Sequence, residues 1–211
     1  MSRILITSGP TRQYLDPVRY LTNGSSGRMG CALALAAIEQ SHQVVIVSGP
    51  VDVKYPRQAE IIWVISTEEM LAACRKHFPH CDGMIGAAAP CDYRPAKVQS
   101  NKITKTGDPL DLHLIETPDV VATLGAEKDR QWMVGFALET ENHQLNALTK
   151  MRRKNCDLMM LNEPAAMNSL ENKVKILNRK EEVIATPAGS KEAVAREIIA
   201  VIEQTLIGTT L

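Results

Sequence analysis

The chain has 211 residues, 45% of them hydrophobic, with 24 basic and 24 acidic side chains that leave no formal net charge. That is enough chain to bury one sizeable core, so a single domain over 1–211 is expected. The charge balance leaves no broad basic field for nucleic acid, and the longest apolar runs, such as 31–38, are too short to cross a bilayer, so neither nucleic acid nor membrane is expected as a partner.

Residues 4–6, Ile-Leu-Ile, predict a buried strand that Ser8-Gly9-Pro10-Thr11-Arg12 breaks. A long loop carrying glycines and serines follows from Asp16 to Gly30, and from Met29 to Ile38 the apolar residues recur at helical spacing. Residues 43–47 read as a second strand ending at Ser48-Gly49-Pro50, and 61–65 as a third; Ser66-Thr67-Glu68-Glu69 is a capping box opening a helix through Phe78. Residues 84–88 form a fourth strand. After an irregular middle, Thr117-Pro118 is expected to cap and start a helix, 133–137 to be a strand, 144–154 a helix and 158–161 a strand. Residues 174–177 and 182–184, around Asn178-Arg179-Lys180, predict a hairpin, and 191–206 a terminal amphipathic helix. Such alternation specifies an α/β protein: a Rossmann-like parallel sheet flanked by helices, with a flap and a small additional β element, and with ligand in the crevice beyond the carboxyl ends of the strands.

Cys31, Cys74, Cys81, Cys91 and Cys156 are dispersed and odd in number, with no C-x-x-C pair, which argues for packed, reduced thiols against a disulfide framework or a structural zinc site. No secretory-signal succession precedes the first strand, so a soluble, cytoplasmic protein is expected.

Strand, glycine loop and helix is the order in which nucleotide folds handle phosphates. Gly24, Gly27 and Gly30 allow close approach of backbone N–H groups, Ser25 and Ser26 add hydroxyls, and Arg12, Arg19 and Arg28 bracket the loop. The spacing G-x-x-G-x-x-G is not the dinucleotide fingerprint, which weakens an NAD reading; the alternative is that the glycines only make a tight entry to the helix. Further on, Gly86-Ala87-Ala88-Ala89-Pro90-Cys91-Asp92 closes the fourth strand with residues too small to fill a core, leaving room for a ligand. Tyr93 and Lys97 have the Y-x-x-x-K spacing of a short-chain NAD(P)-dependent oxidoreductase, but Pro95 disfavours the helix that spacing requires. Residues 97–108 are polar and cationic and read as a flap in which Lys102 and Lys105 could close over phosphates, or as a solvated loop. Lys150 and Lys154 stand with Arg152 and Arg153 in one turn, answering either the helix dipole or a bound triphosphate.

Taken together these segments resemble the phosphopantothenoylcysteine synthetase family, the phosphopantothenate–cysteine ligases of coenzyme A biosynthesis, in free-standing form. The resemblance is carried by Leu5-Ile6-Thr7-Ser8-Gly9-Pro10-Thr11-Arg12, Leu15-Asp16-Pro17-Val18-Arg19-Tyr20, Asn23 with Ser25-Ser26-Gly27, Val47-Ser48-Gly49-Pro50, Asp92-Tyr93-Arg94-Pro95, Lys102-Ile103, Pro118-Asp119, Gly135-Phe136-Ala137 with Glu139-Thr140, and the turn from Lys150 to Lys154. It implies that the 4′-phosphopantothenate carboxylate attacks a nucleoside triphosphate, CTP or ATP, with Mg²⁺, and that L-cysteine then displaces the nucleoside monophosphate. By the same resemblance Asn23 and Lys102 are catalytic, the amide of Asn23 bonding the acyl oxygen. Gly86, Ala87, Ala88, Asp92, Lys102, Thr117, Pro118, Asp119, Val120, Phe136, Lys150 and Lys154 bind the nucleotide. Arg19, Asn23, Ala88, Ala89 and Asp92 bind phosphopantothenate, Arg19 reaching over from a second subunit of a homodimer. Many such synthetases are fused to an FMN-dependent decarboxylase; here no FMN is expected, and a separate decarboxylase is a possible partner. The chain departs from the family pattern at Gly24, at Pro90-Cys91 and at Thr117. A non-catalytic nucleotide-binding paralogue is the alternative, against which Asn23 and Lys102 speak.

Overall fold

Ile4, Leu5 and Ile6 lie in β1 (Arg3–Ser8), an interior strand of a mixed sheet, in a computed structural model that describes residues 1–138, 143–162 and 172–208. The sheet continues through β4 (Gln43–Ser48) and β5 (Glu60–Trp63) on one side of β1. On the other side lie β6 (Gly83–Gly86), β9 (Trp132–Leu138) and β10 (Leu158–Asn162), all parallel to it. Beyond β10 the direction reverses: β11 (Asn172–Asn178) and β12 (Val183–Ala185) form the expected hairpin as an antiparallel edge, and a two-residue strand, β13 (Ala188–Gly189), pairs with β11.

Both faces of the parallel strands are covered, which is why these strands read as unbroken apolar runs. Alternate side chains enter two cores. Ile4, Ile6, Val44, Ile46, Val134 and Met160 pack beneath α1 (Arg28–Glu39) and α5 (Lys191–Ile202); Leu5, Val45, Val47, Met84, Met133 and Met159 pack beneath α2 (Thr67–His77), α3 (Val120–Glu127) and α4 (His143–Arg153). No helix among the described residues is long and apolar enough to cross a membrane.

The cysteines follow the packing expectation. All five are free thiols, and burial pushes Cys74 and Cys156 up to about 12.

Three local expectations are corrected. The start of the loop expected over 16–30 is instead strand: β2 (Arg12–Asp16) and β3 (Arg19–Thr22) form a small antiparallel ladder. Its strands are too short and too polar to announce themselves by periodicity, and Tyr14 packs edge-on to Tyr20 across the pair. A second ladder, β7 (Tyr93–Pro95) with β8 (Leu114–Glu116), forms the base of the flap. Finally, Thr117-Pro118 does not begin α3. Asp119 is the N-cap, its carboxylate accepting from Ala122 N at 3.1 Å, one of the stronger side chains for this task. Glu139 and Thr140 lie outside the described residues.

Candidate active site

β1 leads to β4 on one side of the sheet and, later, to β6 on the other, so the strand order reverses between β1 and β6. The chain beyond these two strands stays paired: Ala89 N donates to Gly9 O at 2.9 Å, and Pro10 bridges Ala89. Two cavities open at this carboxyl edge, where an open α/β sheet accepts ligands. One, of about 270 Å³, lies towards α1 and α5 and is lined by 24–30, Ala87, Ala88, Ala89, Phe136, Asn162, Asn172 and Lys191. The other, of about 400 Å³, lies towards α3 and α4, with Gly86, Ala88, Pro90, Asp92, Thr117, Pro118, Asp119, Val120, Phe136, Arg153 and Lys154 among its lining residues. Ala88 and Phe136 belong to both.

The serine and glycine loop is one wall of the first cavity. Gly27 is the left-handed N-cap of α1 at φ 73°, a conformation that glycine adopts without strain. Gly30 has a different reason to be glycine: a Cβ there would stand 2.2 Å from Ser8 Oγ, so the residue admits the close approach of α1 to β1. Of the three arginines that bracket this loop in sequence, Arg28 lines the cavity. Arg12 instead stacks over the Tyr20 ring at 4.5 Å. Arg19 turns to its own chain, with Nη1 3.4 Å from Asp16 Oδ2 and Nη2 donating to Ile103 O at 2.8 Å.

Asp16 is fully buried and ties the hairpin to the flap. It accepts backbone N–H bonds from Val18 and Arg19, each at 2.9 Å, and from Ile103 at 3.0 Å. Burial alone would raise its pKa; the N–H groups of Val18, Ile103 and Arg19 and the Arg19 charge outweigh that and hold the carboxyl below its ordinary range. Lys102, next to this anchor, is exposed and lines a separate recess within the flap, with Lys97 and Leu112; it does not line the cavity holding Asp119 and Lys154.

Asn23 is not itself among the residues lining either cavity, but it ties their walls together, since Ala89 lines the first and Pro90 the second. Its Nδ2 donates to Pro90 O at 2.9 Å and to Ala89 O at 3.3 Å, and both partners can only accept. The N–H groups of Asn23 are therefore spent on the protein, and the oxygen Oδ1 is the end left to face a ligand. This differs from the sequence expectation, in which the amide donates to an acyl oxygen. Likewise the N–H groups of Ala87, Ala88 and Ala89 bond to Ile85 O, Thr7 Oγ1 and Gly9 O, so these backbone donors are already satisfied within the protein.

Asp119 organises the second cavity's charge. Lys154 Nζ stands 3.1 Å and Arg153 Nη2 3.2 Å from its Oδ2. Burial would raise Asp119, but the Lys154 charge, the Ala122 N–H and the Arg153 charge together hold it low. Arg152 pairs with Glu181. The cationic turn is thus partly compensated within the protein. Lys150 is half-buried on α4 and is not among the lining residues; Arg153, which the sequence analysis did not select as a site residue, is. Thr117, with no cap to make, donates from Oγ1 to Cys91 O at 2.5 Å, and Cys91 is a buried thiol that burial pushes up, not a nucleophile in waiting. Among the described residues no group of three His, Cys, Asp or Glu side chains is placed to hold a metal ion.

Residues 1–206 match the family described as DNA/pantothenate metabolism flavoprotein C-terminal domain. The coenzyme A biosynthesis bifunctional protein CoaBC of Vibrio vulnificus (strain YJ016) is 41% identical over 212 residues, covering 97% of this chain and 52% of that protein. The chain thus spans about half the length of the curated relatives it matches. The crystal structure of the C-terminal domain of a CoaBC protein is 38% identical, with a TM-score of 0.84 over 98% of this chain and 96% of that one. A mutant of Cab2 in complex with phosphopantothenate-cysteine shares the fold at a TM-score of 0.76 and 16% identity, over 99% of this chain and 89% of that chain.

Proposed function

Because the chain belongs to the family of DNA/pantothenate metabolism flavoprotein C-terminal domains, we propose that it is a phosphopantothenate–cysteine ligase of coenzyme A biosynthesis. What supports this most directly is the meeting of two cavities at Ala88 and Phe136, which gives two substrates separate approaches to one point. A carboxylate oxygen of 4′-phosphopantothenate attacks the α-phosphorus of CTP, and the bond to pyrophosphate breaks. The amine of L-cysteine then attacks the acyl carbon, loses a proton, and CMP leaves. ATP is the rival nucleotide.

In this proposal the phosphopantothenate lies along the Asn23 to Gly27 loop and Ala87 to Ala89. The nucleotide occupies the cavity of Asp92, Thr117, Pro118, Asp119, Val120, Phe136 and Lys154, with Lys150 behind it. Small residues at Ala88 and Ala89 leave the two reactive groups room to touch. Asn23 Oδ1, an acceptor, suits the one reacting group with hydrogen to give, the cysteine amine. Lys102 would bring a positive charge to the phosphates when the flap moves over them. Mg²⁺ would arrive with the triphosphate, since phosphate oxygens and water commonly supply most of its ligands, and no step here is routed through it. No flavin is credited to the chain. A homodimer in which Arg19 reaches the partner's site, a cytoplasmic location and a separate decarboxylase partner belong to the same proposal.

The test is pyrophosphate release from CTP, 4′-phosphopantothenate and Mg²⁺, followed by cysteine-dependent appearance of the amide product. Nucleotide binding without pyrophosphate release, with either CTP or ATP, would instead establish a non-catalytic paralogue.

A further inference from the structure

A closed circuit of hydroxyls lies behind Asn23. Cys91 N–H donates to Thr11 Oγ1 at 2.8 Å. Thr67 Oγ1 is 3.2 Å from Cys91 O, and because a carbonyl can only accept, the Thr67 hydroxyl is the donor. Its one hydrogen is then used. The remaining contact, Thr11 Oγ1 to Thr67 Oγ1 at 2.9 Å, must run from Thr11 to Thr67. The bonds form a ring with a single direction, from Cys91 N–H through Thr11 and Thr67 to Cys91 C=O. Both threonines are fully buried, so either hydroxyl would be costly to leave unspent.

The ring bears on Asn23 through peptide planarity. Pro90 C=O and Cys91 N–H belong to one trans peptide unit and point in opposite directions from it. Thr11 grips the N–H edge of that plane, and Asn23 Nδ2 donates to the carbonyl on the other edge. The direction in which Thr11 offers its lone pair is set by Thr67. Thr67 has no competing duty in its helix, because Ser66 caps α2 by accepting from Glu69 N.

From this geometry we infer that Thr67 is a positioning residue for Asn23: its hydroxyl locks Thr11, and through the Pro90–Cys91 peptide fixes the direction in which Asn23 Oδ1 faces the reacting groups. The inference rests on the ligase reading for its effect on turnover, but not for its effect on the amide.

Thr67→Val keeps the β-branched shape and removes the hydroxyl; Thr67→Ser keeps the hydroxyl. The Asn23 side-chain NH₂ resonances, assigned with an Asn23→Asp control, should shift in Thr67→Val and return to their wild-type positions in Thr67→Ser. In the ligation assay, kcat should fall about tenfold in Thr67→Val while KM for CTP changes by less than about twofold, and Thr67→Ser should stay close to wild type. Thr67→Ala replaces the valine variant if the latter does not fold. Unmoved resonances overturn the inference whatever the rates do, and so does an equal fall in kcat for the serine and valine variants. A wild-type protein without ligase activity would instead remove the functional reading and leave the NMR comparison to decide whether Thr67 holds the amide.

Discussion

Asn23→Asp changes one atom of a side chain that bonds the walls of both cavities, at Ala89 and Pro90. The wild-type amide directs two N–H groups at carbonyl oxygens, at 2.9 and 3.3 Å. A carboxylate of the same shape directs a negative oxygen at both, and it must rotate away. Losing two bonds of about 0.5–1.5 kcal/mol each misdirects the reacting end by about 1–3 kcal/mol, or about 5- to 150-fold in the step that depends on it. Because Asn23 is exposed, the fold should be nearly untouched. Rapid-quench assays with labelled CTP separate formation of the acyl nucleotide from its consumption by cysteine. The second step should slow more than the first, since Oδ1 suits the amine. Lowering the pH from about 7 towards about 5 should recover part of the Asn23→Asp activity relative to Asn23→Ala at the same pH. A protonated carboxyl regains one donor for Pro90 O, whereas alanine regains none. Rates within about twofold of wild type in both half-reactions would refute the assignment.

Lys102→Ala should raise KM for CTP or lower kcat by the equivalent of about 1.5–3 kcal/mol, and Lys105→Ala should do much less; equal profiles across CTP concentrations would end the assignment of Lys102 to the phosphates. Asp16→Asn should loosen the flap, seen as faster proteolysis within 97–108, and should lower Tm at neutral pH. The depressed Asp16 pKa means that its contribution is present above about 4 and is lost as pH falls through the folded value, so the Tm gap to wild type should narrow as pH drops towards 2; a gap independent of pH refutes the ionised anchor. Mixing Arg19→Ala with Asn23→Asp should raise activity above that of either variant alone, towards about a quarter of wild type, if the sites are shared and subunits exchange freely, because each mixed dimer then holds one site with both residues native. No recovery after verified exchange means that Arg19 acts within its own chain, where it bonds to Asp16 and Ile103.

The sheet was legible because both of its faces are covered: continuous apolar strands alternate with helices whose starts carry recognisable caps, as at Ser66 with Glu69. The additional hairpin was legible too, from Asn178-Arg179-Lys180 between two apolar runs. What escaped are elements specified by tertiary contacts. The β2–β3 ladder depends on Asp16 collecting N–H groups from its own turn and from Ile103, 87 residues away. At the site, the small residues of 86–89 correctly announced a cavity, because absent bulk is itself visible in a sequence. The partners of individual donors were not. In sequence Arg12 and Arg19 look alike as phosphate ligands, whereas in the fold one stacks on Tyr20 and the other pairs with Asp16.

The same limit hides Thr11 and Thr67 in the sequence. Each is an ordinary residue in its own segment, Thr11 beyond a strand and Thr67 at the first turn of a helix, and their hydroxyls acquire a direction only when the Cys91 peptide closes the ring. Thr117 joins the same backbone, since its hydroxyl also donates to Cys91 O. The Cys91 thiol in turn stands 3.4 Å from Thr11 O. Thr117 and the Cys91 thiol therefore brace the backbone behind Asn23. In the proposed ligase, a segment that directs the Asn23 amide gains from such bracing, because an error in direction there costs rate without costing stability.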